Sequence, residues 1–366
     1  MKTNSRYLTV DILRGFIMVL MGIDHAYLTI YQIHYSESWD NPFPDYENGA
    51  IFFTRWISNI CAPGFALLMG LSMSLYYNKH FKSSSIKSCR WFFIKRGLII
   101  IILQQLLNLP SLLFNINNIN KIHIFTGGVL YMLGSSMIVC AFLIHVKTTI
   151  KIFLGLAIII FSYLFINFVF IEASDNTFIN LFLLPGVNKW VSVNYPVIPW
   201  LGISIIGAGI GDFLIRDKKN TVTFLLKSSF TFFLLYIILR AFNLGDYNHV
   251  SNHDFLVSFL GVIKYPPSIA FFALTLTIIF LLFWFFDKHD TSCYFKLLVI
   301  FGQAPLFFYF AHYYLYIILS KFTNHMVPLY VMYIIWAFGL LLLFPIVKFY
   351  GQFKNKKGKN SFWKYF

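Results

Sequence analysis

The chain has 366 residues, 58% of them hydrophobic and only 12% charged, with a mean hydropathy of +0.69. Soluble domains carry about 25% charged residues, so a water-soluble globular fold is excluded. The formal net charge of +15 sits in short loops between apolar windows, which is the distribution that membrane topology selects and not that of a nucleic-acid-binding face.

Windows of about 20 apolar residues, each long enough to cross a bilayer core, recur along the whole length. The alternating segments of a β-barrel do not. The fold class expected is all-α: a polytopic integral membrane helical bundle of about ten transmembrane helices, with residues 1–366 forming a single integral membrane domain. The helices are expected at approximately 8–31, 50–77, 92–114, 123–146, 149–171, 197–215, 222–243, 266–287, 296–320 and 329–350.

The first helix carries Asp11, Arg14, Asp24 and His25, so it reads as an uncleaved helix rather than a signal peptide. A charge at mid-bilayer costs about 2.5–3.5 kcal/mol even on lenient scales, so such residues face protein or water and mark candidate sites. At 100° per residue Asp11, Arg14, Met18, Gly22, His25 and Thr29 share one stripe. Asp11 and Arg14 are spaced to pair, either as a structural lock or as a ligand contact, and the lock is preferred. His25 lies about 21 Å along the axis from Asp11 at 1.5 Å per residue. Asp24 points about 100° away from the stripe, toward a basic partner on another helix.

Residues 33–49, "IHYSESWDNPFPDYENG", hold His34, Glu37, Asp40, Asp45 and Glu47 and neither Lys nor Arg. Arg55 opens the second helix, and Pro63 in "CAPGF" is expected to kink it near a cavity. The 79–96 segment is strongly basic and includes Lys95 and Arg96. Further basic groups are Lys147, Lys151, Arg216, Lys218, Lys219 and the tail lysines Lys354, Lys356, Lys357 and Lys359. With ten helices these fall on one side together with Lys2 and Arg6, and the positive-inside rule makes that side, with both termini, cytoplasmic. Cys61, Cys89, Cys140 and Cys293 show neither metal spacing nor pairing, and no metal is expected.

The later elements supply the rest. Pro196 in "YPVIPW", which ends at Trp200, and Pro266 in "KYPPS" are read as first-turn prolines. Arg240 ends the seventh helix and Lys264 precedes the eighth. His312 lies in "GQAPLFFYFAHYYL" of the ninth, where Pro305 suggests a second kink. His25, Asp24, His312, Arg55, Arg240 and Lys264 thus fall at similar depth in the external half. Each alone could be a core histidine or a snorkelling cation, but together they point to a polar cavity open to the outside. A proton-coupled transporter using Asp24, His25 and the arginines as a relay is the alternative to an enzyme, although no internal repeat of the transporter kind is visible.

The blocks "RYLTVDILRGF…MGIDHAYL", "FFTRWISNICAPGFALLMGLSMSLYY", "YPVIPWLGISIIGAGIG", "KYPPSIAFFALTLT" and "GQAPLFFYFAHYYL" resemble bacterial membrane proteins grouped with the catalytic domain of heparan-α-glucosaminide N-acetyltransferase. The resemblance implies a cell-membrane acyltransferase that takes an acetyl group from cytoplasmic acetyl-CoA and places it on an amine or hydroxyl of a sugar-like acceptor outside. It also implies a catalytic histidine. The "DH" block points to His25 and loop position points to His34; His25 is preferred because its stripe faces the other polar groups. That histidine would act as general base or carry the acyl group, with Asp24 holding a partner group and His312 sharing the role. Arg55, Arg240, Lys264 and Trp200 are candidates to bind the acceptor. Arg14, Lys95 and Arg96 are candidates for the CoA phosphates, although topology alone also accounts for Lys95 and Arg96. Expected partners are the lipid bilayer and a small-molecule or glycan acceptor, with no nucleic acid, and a homodimer is one assembly the sequence allows. For a bacterial source, the inner membrane and a cell-envelope sugar follow by analogy.

Overall fold

A computed structural model of the chain describes residues 7–33, 35–81, 85–107, 123–168, 176–247, 255–289, 293–323, 327–357 and 361. In chain order the helices are α1 (Leu8–Ala26), α2 (Gly49–Trp56), α3 (Cys61–His80), α4 (Ile86–Leu107), α5 (Val129–Leu143), α6 (Thr148–Phe168) and α7 (Thr177–Phe182). They continue as α8 (Val197–Arg216), α9 (Lys218–Ala241), α10 (Phe255–Leu260), α11 (Ile269–Lys288), α12 (Lys296–Gln303), α13 (Pro305–Ser320) and α14 (Leu329–Lys356). Three short strands, β1 (Phe125–Gly127), β2 (Gly186–Val187) and β3 (Val191–Val193), form a small sheet in the order β1-β3-β2. β1 runs parallel to β3, and β2 antiparallel to it.

Among the described residues six helices are long and apolar enough to cross a membrane, or seven if the bent pair α12–α13 is one span. Three further helices of the ten-helix reading do not meet that description. α1 and α4 carry too many charges, and α5 has only 15 residues. The fourth expected helix also starts late. Residues 125–127 are β1, and Gly128 is extended at φ −87°, because "TGG" offers poor helix formers while the strand gains a ladder with Val191–Val193.

Prolines shape the bundle differently from expectation in two places. Pro63 sits inside a regular α3, and the irregularity lies just before it, as a 3-10 turn over Ile57–Ile60. A proline ring clashes with the carbonyl four residues earlier, here Asn59, so the strain is relieved upstream. Pro266 follows a cis bond to Tyr265 and is not in a first turn; Ser268 caps α11 by accepting from the Phe271 N–H. Pro305 does break the ninth helix. It is the first residue of α13, which bends 95° from α12.

Tight packing fixes where these pieces meet. α3 lies along α8, α8 along α6, α9 along α11, and α1 along the short α12. A Cβ placed on Gly15 would enter the Leu298 carbonyl, and one on Gly302 the Asp11 carbonyl, so only glycine allows α1 and α12 this approach. That seam seats the broken helix beside α1 and delivers α13 against the end of α1.

Candidate functional site

At its C-terminal end α1 loosens into a π-helical turn, Tyr27–Tyr31, closed by Gln32 in the left-handed region at φ 63°. π-turns are rare and concentrate at functional sites. Asp24 and His25 sit directly before this turn. The two side chains diverge, as the helical period requires.

His25 meets His312 of α13. The His25 Nδ1 to His312 Nε2 distance is 2.7 Å, with the two ring planes 4° apart. The His312 Nδ1 lies 2.7 Å from the Phe308 carbonyl, one turn back on α13. These contacts assign the tautomers. A carbonyl only accepts, so His312 Nδ1 carries a proton and its Nε2 is the acceptor. His25 must then donate from Nδ1, which leaves the lone pair of its Nε2 directed away from the pair. Tyr309 and Tyr313 stand edge-on to the His25 ring, with centroids 5.8 and 5.5 Å away. His312 is fully buried.

Asp24 pairs with Arg55, whose Nη1 contacts its Oδ1, and the Ser58 hydroxyl donates to the same oxygen at 3.0 Å. Arg55 also reaches Glu37, Nη2 to Oε2 at 3.5 Å, and its guanidinium lies over the Tyr27 ring at 5.7 Å. Tyr46 donates to the other Glu37 oxygen at 2.9 Å. Two carboxylates therefore clamp one guanidinium that is only 5% exposed, so this arginine does not snorkel. The Arg55 Nε finds no partner among the described residues, so hydrogen bonds offset the burial of this cluster only in part.

Lys264 lies within electrostatic reach of that cluster. It is 2% exposed, and its backbone N–H donates to the Glu37 carbonyl at 3.2 Å. The neighbouring Tyr265 carbonyl accepts from Trp39 N–H at 2.9 Å. The loop before α11 is thus stitched to the loop after α1. Burial, the largest influence, pulls the Lys264 pKa down, but Tyr265, Asp24 and Glu37 outweigh it and the pKa is raised. The side chain is an ammonium. Tyr195 and Tyr265 join hydroxyls at 3.0 Å beside it.

The other sequence-derived candidates fall elsewhere. Arg240 forms an ion pair with Asp246, Nη2 to Oδ2 at 3.1 Å, and Asp246 in turn accepts from the Ile263 N–H at 3.2 Å. It braces the loop that carries Lys264 and does not reach the histidines. Trp200 is fully buried against Tyr195, Phe271 and Phe272. Arg14 donates to Asp11 at 3.2 Å, the Gly302 carbonyl at 3.0 Å and Ser72 Oγ at 2.6 Å, roughly 17 Å along α1 from His25. Arg96 is within electrostatic reach of Arg14, whereas Lys95 is exposed. His34 lies outside the described residues. Among the described residues no group of three or more His, Cys, Asp or Glu side chains could hold a metal ion.

Glu37, Tyr309, Tyr265 and Tyr195 were missing from the sequence-derived set. Tyr309 was accessible, since it stands three residues before His312 on the same helix face. Glu37 was one of four acids in a loop with nothing in the pattern to single it out.

Apolar helices enclosing a hydrogen-bonded histidine pair and a buried carboxylate–guanidinium cluster define a helical membrane protein. The chain belongs to the heparan-alpha-glucosaminide N-acetyltransferase catalytic family, whose model matches residues 6–247. No individual curated protein gives a significant match. The matched span holds Asp24, His25, Glu37 and Arg55, while Lys264, Tyr309 and His312 lie beyond it.

Proposed function

We propose that this protein moves an acetyl group from cytoplasmic acetyl-CoA to a hydroxyl or amine of a sugar-like acceptor on the external face of the cell membrane. The topology that goes with this reading has ten helical passes, the bent α12–α13 pair making one of them, with both termini cytoplasmic. Asp24, His25 and Lys264 then lie toward the outside, and Arg14 and Arg96 toward the cytoplasm. The observation that carries the reading is the relay from the Phe308 carbonyl through His312 to His25, which leaves His25 Nε2 as a proton acceptor. Family membership supports the acetyl chemistry.

In this mechanism His25 Nε2 takes the acceptor proton as the acceptor attacks the acetyl carbonyl. The positive charge that develops on His25 is shared through its Nδ1–H with His312. His25 then returns the proton to the departing thiolate, giving CoA-SH. An acceptor amine is bound as the free base. The Asp24–Arg55–Glu37 clamp holds the end of α1 so that His25 keeps its orientation. Arg14 and Arg96 supply guanidinium donors for the CoA phosphates, and the pantetheine arm is the part of the donor that spans the distance to His25.

The test uses the full-length protein in sealed, oriented vesicles given acetyl-labelled CoA on the cytoplasmic face and a glucosaminide or glucoside probe on the other. Transfer of label across the membrane onto the probe, abolished in His25→Ala at equal protein abundance, is the expected result. CoA release with the label kept on the donor side would refute the external acceptor.

A further inference from the structure

Two polar groups at the site are not used by the relay or by the ion clamp. The Lys264 ammonium is buried, and among the described residues it makes no hydrogen bond or ion pair; it lies against the Tyr265 ring, 5.3 Å from Nζ to the centroid. Asp24 and Glu37, the nearby acids, are both engaged with Arg55. The Tyr309 hydroxyl likewise makes no hydrogen bond among the described residues, although the residue is only 7% exposed. Both groups lie within electrostatic reach of Asp24 and Tyr265, Lys264 also within that of His25, and the Tyr309 ring stands against His25. A buried ammonium and a hydroxyl, both without a hydrogen-bond partner among the described residues, therefore lie in the neighbourhood of His25.

We infer that Lys264 Nζ and Tyr309 Oη are the donors that hold the carbonyl oxygen of the acetyl group as it becomes an oxyanion. The inference rests on the acyltransferase reading above. In the step concerned the acceptor oxygen or nitrogen bonds to the acetyl carbon, and the carbonyl π pair moves onto the carbonyl oxygen. The acceptor proton passes to His25 Nε2. On collapse the C=O re-forms, the C–S bond breaks, and the thiolate takes the proton from His25.

Charge balance favours an oxyanion over a permanently anionic substrate group as the partner of Lys264. Asp24 and Glu37 already balance Arg55 and Lys264, so the resting cluster is neutral. A carboxylate or phosphate on the acceptor would add a net negative charge to a buried site. The oxyanion forms together with the imidazolium of His25, so the site stays neutral throughout. Donors preorganised in a water-poor site and aimed where charge develops are the most effective form of electrostatic catalysis.

The experiment measures acetyl-CoA turnover by the full-length protein in proteoliposomes, following CoA thiol release with water or a glucosaminide probe as acceptor. Lys264→Met, which keeps the aliphatic stem, is expected to lose about 10²- to 10³-fold in kcat, the range for one oxyanion donor. Its KM for acetyl-CoA should stay within about threefold, because that donor acts only in the transition state. Lys264→Arg should recover at least about tenfold of the loss, and Tyr309→Phe should lose at least about tenfold. A kcat loss in Lys264→Met below about tenfold, or one carried by KM, overturns the inference while leaving the acyltransferase reading intact. If Lys264→Met does not fold, wild-type kcat in Tyr309→Phe overturns it instead. A wild-type protein that releases no thiol with any acceptor overturns the acyltransferase reading and this inference with it.

Discussion

Replacing His312 tests the relay without touching the base. In the native site the 2.7 Å hydrogen bond from His25 Nδ1 to His312 Nε2 holds the His25 proton on Nδ1. Such a bond in a buried setting is worth about 1–3 kcal/mol, counting the donor it would otherwise strand. In His312→Phe that preference disappears, and the proton can move to Nε2, the atom that must be free to act as base. At 1.36 kcal/mol per decade of rate, the loss in kcat is about 5- to 150-fold. Side-chain geometry sharpens the test. A Gln amide oxygen can stand near the position of His312 Nε2, whereas Asn places its oxygen near Nδ1, one bond short. His312→Gln should therefore retain more activity than His312→Asn, measured as acetyl-CoA turnover in proteoliposomes. Wild-type kcat in His312→Phe, or Asn performing as well as Gln, would refute the tautomer assignment and the relay with it.

Other consequences can be checked on the same preparation. Arg55→Met leaves Asp24 and Glu37 without their shared cation and should destabilise the protein by about 3–5 kcal/mol, read from unfolding in detergent, whereas Asp24→Asn should cost less because Glu37 still pairs with Arg55; a change under about 1 kcal/mol in Arg55→Met would mean that the clamp is dispensable. Gly302→Ala should disrupt the α1–α12 seam, because its new Cβ meets the Asp11 backbone and not a flexible side chain, and overpacking of this kind costs about 1–3 kcal/mol. Asp246 is pushed up to about 6, chiefly by burial and against the pull of Arg240. A carboxyl whose folded pKa exceeds its unfolded value of 3.8 stabilises the fold below that value, and the contribution is lost as pH rises through about 6. Stability should thus fall across that window in wild type, and Asp246→Asn should flatten the dependence; an unchanged slope would place the titration elsewhere. Direct transfer also predicts sequential kinetics for donor and acceptor, with no acetyl-enzyme trapped on acid quench.

Some of this architecture is written in the sequence and some is not, for physical reasons. Helical periodicity at α1 is a local property, so the stripe through Asp11, Arg14 and His25 and the divergence of Asp24 toward a cation follow from residue spacing alone. Depth is nearly as legible, because hydropathy positions each helix along the membrane normal, and it set His25 and His312 at a common level. Rotation about the helix axis has no such marker. Nothing local distinguishes Lys264, whose loop is tied to Glu37, from Arg240, which ties down a loop through Asp246. The 95° break between α12 and α13 was signalled by Pro305, but its direction depends on the glycine seam with α1. Strand β1 was invisible because its partner, β3, lies more than sixty residues away. Long-range pairing of that kind leaves only "TGG" as a local trace.

The central claim is that His25 Nε2 is the base for acetyl transfer across the membrane. Sealed vesicles bearing the full-length protein, charged with acetyl-labelled CoA on the cytoplasmic side only, test it most directly when wild type and His25→Ala are compared at matched abundance. The account predicts label on the external glucosaminide or glucoside probe in wild type and a loss of about 10²- to 10⁴-fold in the variant, the range for a positioned base. Uptake of an unmodified solute with no CoA consumed, or full transfer by His25→Ala, would contradict it.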